Sequence, residues 1–157
     1  MASEGFRHIT VAIDGSVHGA EALDTAIDLA KHYSAQLVVL SVAPLTPVYV
    51  ASAEPYLPPS LPEGERPQYQ QLVEAGVQRA EAAGLSGVTG LCVEGVVVEE
   101  ILAHANQHPV DLLVLGSRGL TAARRVLLGS VSTGVVTHAP CPVLVVRPAP
   151  TSPRGPS

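Results

Sequence analysis

Five short, mostly apolar runs alternate along this chain with stretches in which apolar residues recur every three or four positions. His8 to Ile13 reads as a first strand, with Ser16 placed to cap a helix whose Ala20, Leu23, Ile27 and Ala30 share one face. Gln36 to Val42, carrying Leu37-Val38-Val39-Leu40, is a second buried strand. Tyr69, Leu72, Val73, Gly76, Val77, Ala80 and Ala83 restore helical spacing, which Gly84 ends in a C-cap-like position. Val88 to Val93 supplies a third strand. The next helix runs from Val97 to Gln107 with Val98, Ile101, Leu102 and Ala105 inward, and His108-Pro109 stops it. Val110 to Leu115 is the fourth strand, Ser130 to His138 a last helix, and Val143 to Arg147 the fifth strand.

Apolar strands alternating with helices imply a mainly parallel sheet covered on both faces through right-handed crossovers. The expected fold is α/β: one domain over residues 1–147, a doubly wound three-layer sandwich on a five-stranded parallel sheet in the order 3-2-1-4-5. Two segments break the pattern. Seven prolines between Ala43 and Pro67 predict a long mobile loop, and the tail 148–157, with Pro148, Pro150, Pro153 and Pro156, reads as disordered.

Composition narrows the function classes. With 157 residues, 46% of them apolar, the chain is long enough for one well-filled core. No apolar run approaches the roughly 18 residues that span a bilayer, and no secretory leader is evident, so no membrane association and a cytoplasmic location are expected. A net charge of −5, one Phe, four Tyr and no Trp argue against a nucleic-acid surface. Cys92 and Cys141 fit buried, inert thiols and make no zinc spacing. Lys31, the only lysine, falls inside a helical pattern, which excludes a P-loop.

The chemistry concentrates in one stretch. Leu115-Gly116-Ser117-Arg118-Gly119 follows the fourth strand, and nine residues later Gly129-Ser130-Val131-Ser132 opens the last helix. Glycines let backbone approach a ligand closely, and a helix N-terminus offers unpaired N–H groups and the positive end of a dipole. Two anion-binding devices thus meet at the carboxyl end of a parallel strand, where ligands collect in open α/β sheets. Arg118 can take phosphate oxygens in a bidentate manner, whereas Arg124 and Arg125 read as solvated. Asp14, at the end of the first strand, is placed either to accept from a ligand or to cap the next turn. Competing arrangements are weaker. Glu100, His104 and His108 recur every four residues, but the stripe reads as a solvated flank rather than a metal site. No Gly-x-Ser-x-Gly elbow occurs, and His138 reads as a helix-end cation.

The spacing Gly116, two residues, Gly119, nine residues, Gly129-Ser130 resembles the nucleotide loop of ATP-binding universal stress proteins. So do the opening His8 to Ser16, the ending His138 to Val146, and the stretch from Glu94-Gly95 to Leu102, where Val97 replaces a frequent proline. The resemblance spans roughly residues 6 to 147. It implies that Ala12 and Val42 contact adenine through their backbones, that Gly116 borders the ribose, that Gly119 approaches the triphosphate, and that Gly129, Ser130, Val131 and Ser132 present N–H and hydroxyl groups to phosphate. It further implies ATP, with Mg²⁺ travelling on the phosphates. The fifth strand reads as an apolar edge, and the resemblance implies a homodimer joined along Val143 to Val146. The function expected is that of a nucleotide-responsive stress regulator with at most slow hydrolysis. The alternatives are a nucleotide-free dimeric interaction module of the same fold and, last, an adenylating enzyme, for which Asp14-Gly15-Ser16 is the wrong turn.

Overall fold

The computed structural model describes residues 5–45, 66–118 and 128–148. In chain order the elements are β1 (His8–Ala12), α1 (Val17–Tyr33), β2 (Gln36–Pro44), α2 (Arg66–Ala82), β3 (Thr89–Gly95), α3 (Val97–Gln107), β4 (Leu112–Gly116), α4 (Ser130–His138) and β5 (Val143–Val146). The five strands form one all-parallel sheet in the order β3-β2-β1-β4-β5, the order expected.

Alternation along the central strands divides the core into two clusters. Ile9, Val11, Leu37, Val39, Leu112 and Val114 point to one face, where α1 and α2 cover them. Leu40, Val42, Leu113 and Leu115 point to the other, beneath Ile101 and Ala105 of α3 and Val135 of α4. Helices therefore occupy both faces, and every strand's carboxyl end emerges on the same rim of the sheet.

Caps set where several helices begin and end. The Ser16 hydroxyl accepts from Gly19 N–H at 3.0 Å at the start of α1, and Ser34 closes that helix in the left-handed region at φ 54°. Gly84, at φ +105°, turns the chain out of α2, as its position in the sequence suggests. At the opposite rim Asp111 ties β1 to β4, its Oδ2 accepting from both Arg7 N–H and His8 N–H at 2.9 Å.

Several boundaries differ from expectation. β2 continues through Ala43 and Pro44, residues read as the start of the long loop, because they pair with Glu94 and Gly95 of β3. Pro44 is the strand's last residue, where a missing N–H disrupts no ladder. Pro67 lies in the first turn of α2, which a proline tolerates. Ala20, expected inward, is exposed, and the buried face of α1 is Gly19, Ala22, Leu23, Ala26, Ile27 and Ala30. Cys92 and Cys141 are only partly buried. The central part of the proline-rich segment, 46–65, and the tail, 149–157, lie outside the described residues.

Candidate functional site

A cavity of about 420 Å³ opens at the rim where the strands end. Its floor is the carboxyl ends of three adjacent strands: Val42 and Pro44 from β2, Ala12 with Ile13 and Asp14 from β1, and Leu115 and Gly116 from β4. Val97 and Ile101 of α3 and Tyr69 of α2 wall one end. Arg118, Gly129, Ser130, Val131 and Ser132 wall the other. The structure thus brings together Ala12, Asp14, Val42, Gly116, Arg118, Gly129, Ser130, Val131 and Ser132, all residues singled out in the sequence. Gly119 lies outside the described residues, as do Arg124 and Arg125.

The α4 end is built by the backbone. Ser117, just past β4, donates its N–H to Val146 O at 2.9 Å and accepts from Gly129 N–H at 2.6 Å, which clamps the start of α4 to the end of β4. The Ser132 hydroxyl, buried, faces both Ser117 O at 3.0 Å and Gly129 O at 3.1 Å. These bonds involve two of the groups that the resemblance assigns to phosphate. The N–H of Gly129 and the hydroxyl proton of Ser132 are committed to the turn itself and are not available to a ligand. The groups left are the N–H of Ser130, Val131 and Ser132, the first three residues of α4. An α-helix gives these no partner of its own, no side chain among the described residues caps this one, and its first intrahelical bond runs from Thr133 N–H to Gly129 O at 3.0 Å. Three amide dipoles and the positive end of α4 therefore meet the cavity, with Arg118 in the same wall.

The other positions divide between cavity and scaffold. Asp14 Oδ1 accepts from Ser16 N–H at 2.9 Å and from the Ser16 hydroxyl at 2.5 Å, so the capping role weighed for Asp14 is filled while its side chain still borders the cavity. A Cβ on Gly116 would stand 2.7 Å from the His18 carbonyl carbon, so the glycine is needed for α1 to pass over β4. His18 Nδ1 and the Ser117 hydroxyl, 2.9 Å apart, pin the same crossing.

The far end is apolar. Val42, Pro44, Val97 and Ile101 offer no side-chain hydrogen-bonding group. Tyr69 was read in the sequence only as part of the α2 periodicity; being an aromatic on the first turn of a helix that starts at this rim is the signal that would have found it.

One expectation about α3 is overturned. His104 is not on a solvated flank: it is 7% exposed, inside the core, with Nε2 3.1 Å from the Thr10 hydroxyl of β1. Its ring stacks on His108 with centroids 4.6 Å apart. Burial first, and then the neighbouring imidazole of His108, lowers its pKa below the usual histidine value. The arc was legible, because 97, 101, 104 and 105 follow the spacing of a single inward face. Among the described residues no group of three or more His, Cys, Asp or Glu side chains is placed to hold a metal ion.

Comparison with known proteins gives one consistent result. The family model described as "Universal stress protein family" matches residues 5–147. "Universal stress protein YxiE" of Bacillus subtilis is 36% identical over 148 residues, covering 90% of this chain and 99% of that protein. A Thermus aquaticus universal stress protein is 38% identical over 145 residues, covering 90% of this chain and 99% of its own. Among solved structures, universal stress protein UspA from Lactobacillus plantarum superposes with a TM-score of 0.77 at 28% identity, over 91% of this chain and 99% of that one. A universal stress protein crystallised in complex with cAMP superposes with a TM-score of 0.68 at 28% identity, over 91% of this chain and 98% of that one.

Proposed function

The chain belongs to the universal stress protein family, and on that premise we propose that it is a cytoplasmic, nucleotide-responsive regulator that holds ATP, with Mg²⁺, in the rim cavity. The observation that carries the reading is the polarity of that cavity. At one end stand Arg118 and the first amides of α4, which have no cap among the described residues, and an aliphatic pocket with one tyrosine stands at the other. The two ends are the edges of β4 and β2 with β1 between them, so they lie about 10 Å apart at the usual strand spacing of about 4.8 Å. A nucleotide has that shape and distribution of charge: phosphate oxygens for the α4 amides, ribose over β4 and Asp14, and a base over Val42 and Ala12. A solved relative bound to cAMP supports an adenine nucleotide in a fold of this type. Mg²⁺ would be carried by phosphate oxygens and water, since Asp14 is the only carboxylate among the described lining residues.

The same lining supports binding rather than turnover. Asp14 is the only carboxylate and no histidine is present among the described lining residues, and Asp14 Oδ1 is committed to Ser16, so the described lining offers little general-base capacity beyond the second oxygen of Asp14. We place the protein in the homodimeric branch of this reading, with subunits joined along β5. The nucleotide-free alternative has its own support in the hydrogen bonds that Gly129 and Ser132 spend inside the turn, and it predicts no ATP affinity at all.

The deciding variant is Ser130→Glu. Ser130 is exposed and is the first residue of α4, so a carboxylate there complements the helix dipole and leaves stability unchanged or raised by about 0.3–1 kcal/mol. The same charge repels phosphate. Calorimetry of nucleotide-stripped protein with ATP and Mg²⁺ should find binding in the wild type, weakened at least about tenfold in the variant, a loss of ~1.4 kcal/mol. Equal affinities would remove the phosphates from α4, and silence in both would leave the interaction module.

A further inference from the structure

The described wall of the cavity is aliphatic at its β2 end except for Tyr69, and the way α2 is seated explains why that residue stands there. Tyr69, Val73, Gly76 and Ala80 follow one another at helical spacing and form the stripe of α2 that faces the sheet. The helix sits close against the sheet at two glycines. A Cβ on Gly76 would lie 2.9 Å from Val39 Cγ1, and one on Gly90 of β3 would lie 2.6 Å from Val73 Cγ1, so glycine at both positions lets α2 settle onto β2 and β3. The helix runs antiparallel to the strands, so its first turn reaches the carboxyl rim. The sheet-facing stripe continues there to Tyr69, which lines the cavity together with Val42 and Pro44 of β2.

Across the rim, Val97 and Ile101 belong to α3, which covers the opposite face of the sheet. Tyr69 and the α3 pair therefore approach from the two helical layers and leave a slot above Val42 and Pro44. Pro44 contributes no N–H, so the floor at this end has little to offer a polar group. A narrow apolar slot with an aromatic wall selects a flat, polarisable ring. We infer that Tyr69 is the specificity-determining side chain of the cavity, the surface on which the heteroaromatic base of a bound nucleotide stacks. The inference rests on the nucleotide reading above, and assigns to it a residue on an element outside the glycine loop and the strand ends.

The test uses the full chain, ATP with Mg²⁺, and the variants Tyr69→Phe, Tyr69→Leu and Tyr69→Ala, each checked for an unchanged melting temperature without ligand. Stacking requires the ring and not the hydroxyl. Phe should bind within about twofold of wild type, and Leu and Ala should bind about tenfold or more weakly. At saturation the H2 and H8 protons of adenine should shift upfield in the wild-type and Phe complexes, and that shift should vanish with Leu. Leu binding as wild type, Phe failing like Ala, or a proton shift that survives in Leu would each overturn the role of Tyr69 while leaving the nucleotide site standing. A wild type that binds no ATP would instead overturn the nucleotide reading, and the inference with it.

Discussion

Protonating His104 would place a second N–H and a charge among Leu40, Ile101, Ala105 and Leu113, where its Nδ1 is buried and has no hydrogen-bond partner among the described residues. Neighbouring groups do not relieve that cost. On α3 itself His108 stacks against the ring. From β1 the nearest titratable side chain on this face is His8, occupied with Asp111 at 3.4 Å. β2 and β5 carry none, Cys92 and Glu94 of β3 alternate with Leu91 and Val93 and so face the other way, and His138 of α4 is exposed. The folded state therefore binds fewer protons than the unfolded chain once the pH drops below the ordinary imidazole value. The cost is absent above about pH 6.5 and accumulates below it, at up to about 1.4 kcal/mol per pH unit for this one proton. Asp111, held below its usual value first by the Arg7 N–H and then by its bonds to His8, acts at lower pH, its stabilisation being lost only as pH falls through the carboxylate range. His104→Gln keeps a group able to bond Thr10 and cannot titrate. Its thermal stability should vary less between pH 7 and 5 than that of the wild type, and an identical pH profile would move the acid sensitivity elsewhere.

Elements meet through a few close approaches, and Gly116 marks the one that fixes α1 over the end of β4. The backbone of His18 would stand 2.7 to 2.8 Å from an added Cβ, and backbone atoms yield less than a side chain would. Gly116→Ala should cost about 1–3 kcal/mol and lower the melting temperature by several degrees; an unshifted melt would mean that the crossing adapts freely. This same element shows what the sequence carried and what it did not. The apolar run before Gly116 and the small residues at 129–130 revealed a strand, a loop and a helix start, because period and turn chemistry are local. They did not reveal that Gly116 answers to His18, or that Gly129 N–H is taken by Ser117 O, because those partners are set by the crossing of distant segments. For the same reason β2 was read as ending at Val42: its continuation to Pro44 depends on pairing with β3, not on its own residues. His104 was a different kind of miss. Its inward position followed from helical spacing, and chemical type, a histidine beside Glu100 and His108, was given more weight than position on the arc. The strand order and nine of the sixteen described cavity residues were legible, since the carboxyl rim of a parallel sheet is fixed once the strands are, whereas the α2 and α3 residues of the wall depend on how those helices are seated.

At the scale of the whole molecule the two edge strands, β3 and β5, have no outer strand partner among the described residues, and they differ. β3 presents Thr89 and Gly90, both exposed, at the start of its strand, whereas all four residues of β5 are apolar and half-buried in a single chain. Val136 of α4, the helix that precedes β5, is a further exposed apolar side chain. An apolar edge with no strand beside it among the described residues invites pairing, which is in keeping with the proposed homodimer. The hydrogen-bond register suggests how to test it without unfolding the subunit. Pro142 O accepts from Leu113 N–H and Val146 O accepts from Ser117 N–H, so alternate residues 142, 144 and 146 face β4. Val143 and Val145 then turn their N–H and C=O groups outward. Of the two, Val143 also packs against the core, so Val145 is the position to alter. Val145→Pro removes an outward N–H and no bond to β4, a substitution an edge strand accepts. Light scattering should then report a monomer with unchanged far-ultraviolet circular dichroism, where the wild type gives twice that mass. A variant that remains dimeric would move the contact off β5, and because the cavity proposed to hold nucleotide is lined by residues of one chain, ATP affinity should survive the loss of the dimer.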